Sequence, residues 1–150
     1  MKYTWEEITS MIQALAVDIP VHSYEPNIIV GIGRGSAAIC CIFGEYANIK
    51  DVVVIPVVHY DDNRNKLDKV RIADMNLPIE GKNVLLIDDI CDTGETLFEV
   101  KKYCEKFNPN RLKTAVLFLR DDKEHQIEPD FYVKSTHEWT ISPWELRDLE

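Results

Sequence analysis

Two adjacent carboxylates stand at a point of this chain where their type and spacing could carry out chemistry. Asp88 and Asp89 directly follow the apolar run Val84–Ile87. That run predicts a buried strand, and open α/β sheets bind their ligands at the carboxyl ends of such strands. Carboxylates there can accept hydrogen bonds from hydroxyl groups, hold Mg²⁺ or take up a proton. The pair therefore predicts a ligand site at the end of this strand.

The short loop that follows these acids has the composition of an anion site. Thr93, Gly94 and Thr96 lie where a helix should begin, and the free N–H groups and positive dipole end of a helix N-terminus attract anions. The next lysine is Lys101, so the loop lacks the lysine with which a Walker loop reaches further phosphates. A sugar phosphate with a metal ion would use all of these groups. The alternative is that Thr93 is an ordinary helix cap and the acids are solvated.

The elements that must position these residues alternate between strands and helices. The apolar patterns predict helices over residues 5–17, 36–46 and 95–107, and strands over residues 28–32, 52–58, 84–87, 114–119 and 131–133. Thr4 and Glu7 form a capping box for the first helix, which should end before Pro20. Strands that are apolar on both faces and alternate with helices indicate a central parallel sheet flanked by helices. The sequence thus predicts one α/β domain over residues 1–150.

One segment interrupts this alternation. Residues 59–82 open with the polar stretch His59–Lys66 and show no apolar period before Pro78 and Gly81. A long unpatterned segment in a compact domain is usually a lid or a binding loop. We expect such a loop here, with a solvated loop of balanced charges as the alternative.

Composition and charge exclude several classes of protein. The chain has 150 residues, of which 45% are hydrophobic and 29% charged, and a net charge of −9. This composition matches a compact domain, and the negative field would repel a polyphosphate backbone, so we expect no nucleic-acid partner. The longest apolar runs, such as Val52–Val58, are far shorter than the ~20 residues that span a bilayer, so no membrane partner is expected.

The cysteines point to a reducing compartment. Cys40, Cys41, Cys91 and Cys104 have no metal-finger or CxxC spacing and lie within apolar segments. We expect Cys40, Cys41 and Cys104 to be small buried hydrophobic side chains. A soluble, cytoplasmic protein is the corresponding expectation.

The string from Val84 to Leu97 closely resembles the 5-phosphoribosyl-1-pyrophosphate (PRPP) binding signature of the type I phosphoribosyltransferases. In that signature, apolar residues precede two acids and an Asp-Thr-Gly-x-Thr loop. Nearly the whole chain follows the family's order of elements, and the small xanthine-guanine and hypoxanthine enzymes are the most similar branch. The resemblance implies a single-domain type I phosphoribosyltransferase fold with a flexible loop and a small C-terminal hood.

The resemblance also implies roles for the residues around the two acids. Asp88 would bond the ribose hydroxyls, Asp89 would bind Mg²⁺, residues 93–96 would hold the 5-phosphate, and Asp92 would be the catalytic residue that faces the purine N7. The implied PRPP-binding set is Arg34, Gly35, Asp88, Asp89, Asp92, Thr93, Gly94, Glu95 and Thr96.

Two further segments match the family's pyrophosphate-binding parts. The glycine turn, residues 33–35, resembles a short loop whose backbone often has a non-proline cis peptide; by itself it could be only a tight connection. The segment 59–82 resembles the flexible loop, and either Arg64 or Lys66 would meet pyrophosphate there.

The resemblance implies a base-binding set of Arg120, Trp139 and Thr140. The hood segment, residues 137–144, would stack Trp139 on the purine and read its edge with the backbone; the alternative is that the tryptophans only pin the chain's end to the core. Arg120 stands where the family has a lysine for the exocyclic oxygen, unless it is a surface charge. Ile141 replaces an acid of the xanthine-guanine enzymes, so the preferred purine stays open.

The function implied is transfer of the 5-phosphoribosyl group from PRPP to a 6-oxopurine (hypoxanthine, guanine or xanthine), with Mg²⁺ as cofactor and a homodimer or homotetramer as the assembly. A non-catalytic PRPP-binding regulatory protein is the alternative, although the net charge of −9 argues against a DNA-binding surface. A receiver-type phosphoacceptor is a third possibility, but its paired acids would follow the first strand.

Overall fold

The computed structural model describes residues 1–63 and 65–148. Three helices are present in this part of the chain: α1 Trp5–Val21, α2 Ala37–Ala47 and α3 Glu95–Glu105. The strands are β1 Ile28–Ile32, β2 Val52–Ile55, β3 Val57–Tyr60, β4 Lys66–Ile72, β5 Asn83–Cys91, β6 Arg111–Arg120 and β7 Phe131–Thr136. Two short 3₁₀ turns cover Arg34–Ser36 and Leu146–Asp148. Among the described residues, no helix combines the length and apolar character that crossing a membrane requires.

Five strands form one sheet in the order β2-β1-β5-β6-β7, and every neighbouring pair in it is parallel. This confirms the predicted α/β class with a central parallel sheet. From β1 the chain runs outward to β2 on one side, and β5 then pairs with β1 on its other side. The order reverses at this point, and ligands of open α/β sheets bind in the crevice beyond such a reversal. The topology therefore predicts a ligand crevice between the carboxyl ends of β1 and β5.

Alternate side chains of β5, the central strand of the sheet, pack into two separate cores. Leu85 and Ile87 face the core that α1 and α2 cover, whereas Val84 and Leu86 face the core that α3 covers. All four side chains are fully buried. A strand buried on both faces is continuously apolar rather than alternating, which is the pattern the sequence shows.

The first helix continues past the expected end. The capping box forms as predicted, with the Glu7 N–H donating to Thr4 Oγ1 at 3.2 Å and the Thr4 N–H donating to Glu7 Oε2 at 2.8 Å. The prediction that the helix ends at residue 17 is wrong, because it runs to Val21 and includes Pro20. Ile19 is fully buried, and its packing holds the last turn in helical form despite the N–H that proline lacks.

The predicted strand 52–58 is divided at Pro56 between two sheets. Its first half, β2, stays in the main sheet, and its second half, β3, pairs antiparallel with β4. The lid or binding loop expected over 59–82 therefore contains regular structure, since β4 lies within it. A register shift between Val58 and Tyr60 interrupts the pairing, and the half-buried positions of β4 do not alternate strictly. The sequence consequently shows no strand period there.

Several boundaries differ by a few residues. β5 continues to Cys91, so Asp88 and Asp89 lie within the last part of the strand rather than after it. β6 and β7 are also longer than predicted, and α3 ends at Glu105 rather than at residue 107. The polar ends of β5, β6 and β7 still pair with a neighbouring strand. An apolar pattern does not reveal this pairing.

One cysteine is placed differently from the prediction. Cys40 and Cys104 are buried as expected, but Cys41 is exposed. Consecutive residues of a helix point about 100° apart. Because Cys40 faces the core from α2, Cys41 must point away from it.

Candidate active site

The paired acids lie side by side in the last residues of β5. Asp88 Oδ1 accepts a hydrogen bond from the Asp89 N–H at 2.9 Å, and Asp89 Oδ1 accepts one from the Ile90 N–H at 2.8 Å. Burial, followed by the charge of Asp89, raises the pKa of Asp88 well above its usual range, and burial also raises the pKa of Asp89. Two neighbouring carboxylates in a desolvated position are unfavourable for stability alone. Hydroxyl donors or a divalent cation would stabilise them.

The glycine turn approaches these acids closely from the end of β1. A Cβ on Gly35 would lie 2.8 Å from Asp89 Oδ2, so a larger residue would collide with the carboxylate. Gly33 has a φ of +63°, which glycine adopts readily. The Ser36 hydroxyl donates to the Gly33 carbonyl at 2.9 Å and closes the turn, while Arg34 is exposed. No cis peptide bond occurs in the described residues, so the expected cis peptide of this turn is not present.

The phosphate loop, residues 93–96, connects β5 to α3. Gly94 has a φ of +77°, and a Cβ there would collide with the backbone of Ile127. The Gln126 N–H donates to the Thr93 carbonyl at 2.8 Å, which fixes the loop against the chain after β6. Gly94 is the N-cap of α3 and brings no side chain to the first N–H groups of the helix. N–H groups at such a helix start attract anions, and the phosphate binding that the sequence predicts for this loop stays a prediction.

The hairpin of β3 and β4 contacts the phosphate loop through two side chains. His59 Nδ1 lies 2.8 Å from Thr96 Oγ1, and Lys66 Nζ lies 2.7 Å from Glu95 Oε2. The hydrogen bond from Lys66 lowers the pKa of Glu95, and burial lowers the pKa of His59. The resemblance placed Glu95 in the PRPP-binding set and either Arg64 or Lys66 at pyrophosphate, whereas the structure pairs Glu95 with Lys66. Arg64, the other predicted cation, lies outside the described residues.

Asp92 meets two cations at the end of β5. Lys123 Nζ lies 2.9 Å from Asp92 Oδ1 and 3.0 Å from Oδ2, and Arg120 Nη1 lies 3.5 Å from Oδ1. The structure therefore brings together Asp92 and Arg120, which the resemblance assigned to N7 and to the exocyclic oxygen of a purine. Lys123 was missed by sequence reasoning, because it follows a run of exposed charges with no apolar pattern.

Arg120 is held rigidly by a second acid. Its Nε donates to Asp122 Oδ1 at 3.0 Å and its Nη2 donates to Asp122 Oδ2 at 2.9 Å. These hydrogen bonds raise the pKa of Arg120 and lower that of Asp122. Arg120 is only 9% exposed, so it is not the surface charge that was the alternative interpretation. The bidentate contact leaves Nη1 directed toward Asp92.

The hood segment follows β7, whose last residue pairs with Arg120. Trp139 is 46% exposed and Thr140 is buried. Trp144 packs against the core that α1 covers, and its ring centroid lies 5.9 Å from that of Trp5. The two tryptophans therefore differ. Trp144 packs against the core, whereas nearly half of the Trp139 surface is exposed and could contact a ligand.

The hood is also tied to the start of the chain. The Tyr3 N–H donates to the Ile141 carbonyl at 3.0 Å, and the Ile141 N–H donates to the Met1 carbonyl at 2.8 Å. The sequence contains no signal for this pairing, because a short strand bridge has too few residues to show a period.

The donor chemistry of the acids fits a magnesium ion. In the part of the chain that the structure describes, no cluster of three or more His, Cys, Asp or Glu side chains could hold a metal. Mg²⁺ is commonly held by only one or two carboxylates, with substrate oxygens and waters filling the other positions. The repulsion between Asp88 and Asp89, which raises the pKa of Asp88, is what a bound cation would relieve.

The family model, the related sequences and the solved structures that are similar to this chain agree on one family. The model of the phosphoribosyl transferase domain matches residues 3–150. The chain is 34% identical over 131 residues to the hypoxanthine-guanine phosphoribosyltransferase of Aquifex aeolicus, covering 84% of this chain and 71% of that protein. It is 24% identical over 145 residues to the xanthine-guanine phosphoribosyltransferase of Idiomarina loihiensis, covering 95% and 85%. The structure superimposes on a purine phosphoribosyltransferase from Pyrococcus horikoshii with a TM-score of 0.82, 28% identity, and 97% and 93% coverage.

Proposed function

The chain belongs to the phosphoribosyl transferase family, and we propose that it transfers the 5-phosphoribosyl group of PRPP to a 6-oxopurine, with release of pyrophosphate. Relatives named hypoxanthine-guanine and xanthine-guanine phosphoribosyltransferase support this function. The observation that carries it is the 3.5 Å contact between Asp92 and Arg120. It joins a predicted proton acceptor for the purine to a fixed donor for the exocyclic oxygen, directly beside the phosphate loop.

At the phosphate end, we assign the 5-phosphate to the N–H groups of residues 93–96 and to the hydroxyls of Thr93 and Thr96. Asp88 would accept hydrogen bonds from the ribose hydroxyls, and Asp89 would bind Mg²⁺. When bound, Mg²⁺ supplies positive charge that favours departure of pyrophosphate. Arg34 and the backbone of Gly35 would orient the pyrophosphate from the glycine turn, which packs against Asp89.

Glu95 has a different position from the other members of the predicted PRPP set. Its carboxylate is paired with Lys66, so we assign only its backbone N–H to the phosphate. The Glu95 side chain then holds the hairpin beside the loop, and Lys66 becomes available to pyrophosphate only if this pair opens.

At the base end, we assign three tasks to the chain's own residues. Arg120 Nη1 would donate to the exocyclic oxygen, Asp92 would accept or relay the N7 proton as N9 bonds to the ribose, and Trp139 would stack on the ring with Thr140 beside it. The transition state has oxocarbenium character, so the carboxylates around the ribose also stabilise positive charge there. The proton transfer and the charge stabilisation occur within one crevice.

We also propose that residues 1–150 form one phosphoribosyltransferase domain that acts in the cytoplasm as a homodimer or homotetramer. The buried, unpaired Cys40, Cys91 and Cys104 support a reducing compartment. Sedimentation equilibrium would determine the assembly, and a purely monomeric species at micromolar concentration would contradict that part of the proposal.

The decisive assay offers PRPP and Mg²⁺ with hypoxanthine, guanine, xanthine or adenine, and measures nucleotide and pyrophosphate formation. We expect turnover with at least one 6-oxopurine, little with adenine, and loss of turnover when a chelator removes the metal. PRPP binding without turnover of any base would instead favour the regulatory alternative, which no observation in the structure supports.

A further inference from the structure

One buried group at the crevice has no task in this function. His59 lies on β3, outside the main sheet, and is only 7% exposed. Its Nδ1 lies 2.8 Å from the hydroxyl of Thr96 in the phosphate loop. A buried imidazole that contacts a predicted phosphate ligand from outside the main sheet calls for a physical explanation.

Resting on the proposed phosphate site, we propose that His59 is a positioning residue for the 5-phosphate and acts through Thr96. A phosphate has only acceptor oxygens, so Thr96 can bind it through the hydroxyl only by donating its hydrogen. The hydroxyl oxygen then has lone pairs to offer a second donor. Nδ1 of His59, at 2.8 Å, is placed to be that donor.

The protonation of the ring decides whether this arrangement works. With a hydrogen on Nδ1, His59 donates to Thr96 and the hydroxyl hydrogen is free for the phosphate. With a hydrogen on Nε2 alone, Nδ1 becomes an acceptor. The Thr96 hydroxyl then donates its hydrogen to Nδ1, and that hydrogen is no longer free for the phosphate. Phosphate binding therefore selects the forms of His59 that carry a hydrogen on Nδ1.

The charges around the ring come from three elements. Glu95 Oε2 on α3 lies 3.5 Å from Nε2, and Lys66 on β4 is paired with the same oxygen at 2.7 Å. Asp92, after β5, also favours the charged ring, whereas burial and Lys66 oppose it. Glu95 favours a hydrogen on Nε2, so the ring must carry hydrogens on both nitrogens, or shift its single hydrogen to Nδ1, when phosphate is bound.

This contact also couples the hairpin to the ligand. Thr96 has His59 as its partner only while β3 and β4 lie against α3. Phosphate binding should therefore stabilise the docked hairpin, and the docked hairpin should strengthen phosphate binding by the same factor.

Two isosteric variants separate positioning from simple packing. In His59→Asn the side-chain amide can occupy the place of Nδ1, whereas in His59→Gln it reaches the place of Nε2. The probe is ribose 5-phosphate, whose dissociation constant is measured by calorimetry. We expect about fivefold weaker binding for His59→Gln, the size of one neutral hydrogen bond, and binding within about twofold of wild type for His59→Asn.

Steady-state kinetics should also separate a positioning role of His59 from simple packing. The 5-phosphate is held equally before and during the reaction, so His59→Gln should raise KM for PRPP by a similar factor and leave kcat and the purine KM unchanged. A merely structural role would lower thermal stability and alter all three parameters.

A double-variant cycle tests the path through Thr96. In the Thr96→Val background the hydroxyl is absent, so adding His59→Gln should weaken ribose 5-phosphate binding no further. Independent, additive losses would overturn the proposal, as would wild-type affinity in His59→Gln.

A measurement on the unaltered protein covers the case in which a variant does not fold. ¹⁵N NMR of the imidazole nitrogens, assigned by the through-space contact of the His59 ring with Thr96, should show Nδ1 bearing hydrogen in the ribose 5-phosphate complex. A bare Nδ1 in that complex would overturn the proposal. If wild-type protein does not bind ribose 5-phosphate at all, the phosphate assignment itself fails, which is a distinct result.

Discussion

The two ends of the crevice are built in different ways. The phosphate end uses the last residues of β5, the start of α3 and two glycine positions with positive φ, so backbone groups define it. The base end is assembled from side chains at and after the ends of β6 and β7, and some of these side chains hold one another in place, as Asp122 holds Arg120. A site made of backbone groups tolerates little change in the conformation of its loop. A site made of side chains can change its specificity when a single residue is substituted. With the proposed roles, we expect binding of the shared substrate to depend on the backbone of the fold, and choice of base to depend on side-chain contacts that a single substitution can change.

Asp92 joins the two ends, and its replacement should have the largest effect. Asp92→Asn removes the proton acceptor but keeps its shape, so we expect kcat to fall about 100-fold or more, with KM for PRPP nearly unchanged. Steady-state kinetics with the preferred purine would measure this. Asp18→Asn, on the exposed side of α1, is the matched control and should retain full activity. An unchanged kcat in Asp92→Asn would remove this residue from the mechanism.

Arg120 should determine selectivity rather than affinity for PRPP. Its guanidinium can only donate, so it should favour an exocyclic oxygen over the amino group of adenine by about tenfold to hundredfold. Arg120→Ala should lose most of this preference, measured as the ratio of kcat/KM for hypoxanthine to that for adenine. Asp122→Asn should lose part of it, because a freer guanidinium is less well aimed. An intact preference in Arg120→Ala would show that the base pocket is assigned wrongly.

The two hood tryptophans offer a comparison within the base end. Trp139→Ala should raise KM for every purine by about tenfold, since stacking of a base on an aromatic ring is worth ~1–3 kcal/mol. Trp144→Ala should instead lower the melting temperature, because this half-buried ring packs against the core. Kinetics and thermal unfolding of both variants would test the division, and equal effects of the two substitutions on KM would contradict it.

At the phosphate end, loss of one hydroxyl should have a modest effect. Thr96→Ala should weaken ribose 5-phosphate binding by ~1 kcal/mol, about fivefold, because the backbone N–H groups remain. Thr96→Ser keeps the hydroxyl and should bind nearly as well as wild type. A crystal structure of the complex with its phosphate away from residues 93–96 would refute the assignment.

The smallest expected effect concerns stability. The pKa of Asp88 is raised in the folded state, so the folded protein binds its proton more tightly than the unfolded chain does. Stability should therefore be fully present below the ordinary pKa of the group and fall as pH rises through the folded value. Asp88→Asn should remove this loss and raise the melting temperature at pH 7 by about 2–4 °C for each kcal/mol gained. The measurement requires a chelator, and a lower melting temperature for the variant would contradict it.

Sequence reasoning was most successful where a pattern is local. Continuous apolar runs predicted the parallel sheet, because strands buried on both faces leave no other pattern. The residues 88–96 form one contiguous string, so their motif could be read directly. The hairpin was missed because a register shift breaks its period. His59 and Lys123 were missed because their partners are distant in the sequence, and Asp122 was missed because it lies in a polar segment with no apolar pattern. The division of strand 52–58 at Pro56 depends on tertiary pairing that a run of valines does not encode.

The bridge between the hood and the first residues also bears on the order in which the molecule forms during synthesis. The Tyr3–Ile141 pair joins segments almost the whole chain apart, whereas the phosphate loop packs against neighbours no later in the chain than Ile127. Contacts with large sequence separation form late, because closing the loop between them costs entropy before it yields energy. We expect a nascent chain to acquire its phosphate-binding crevice first and its base pocket last, so an incompletely synthesised chain would sequester sugar phosphate without converting it.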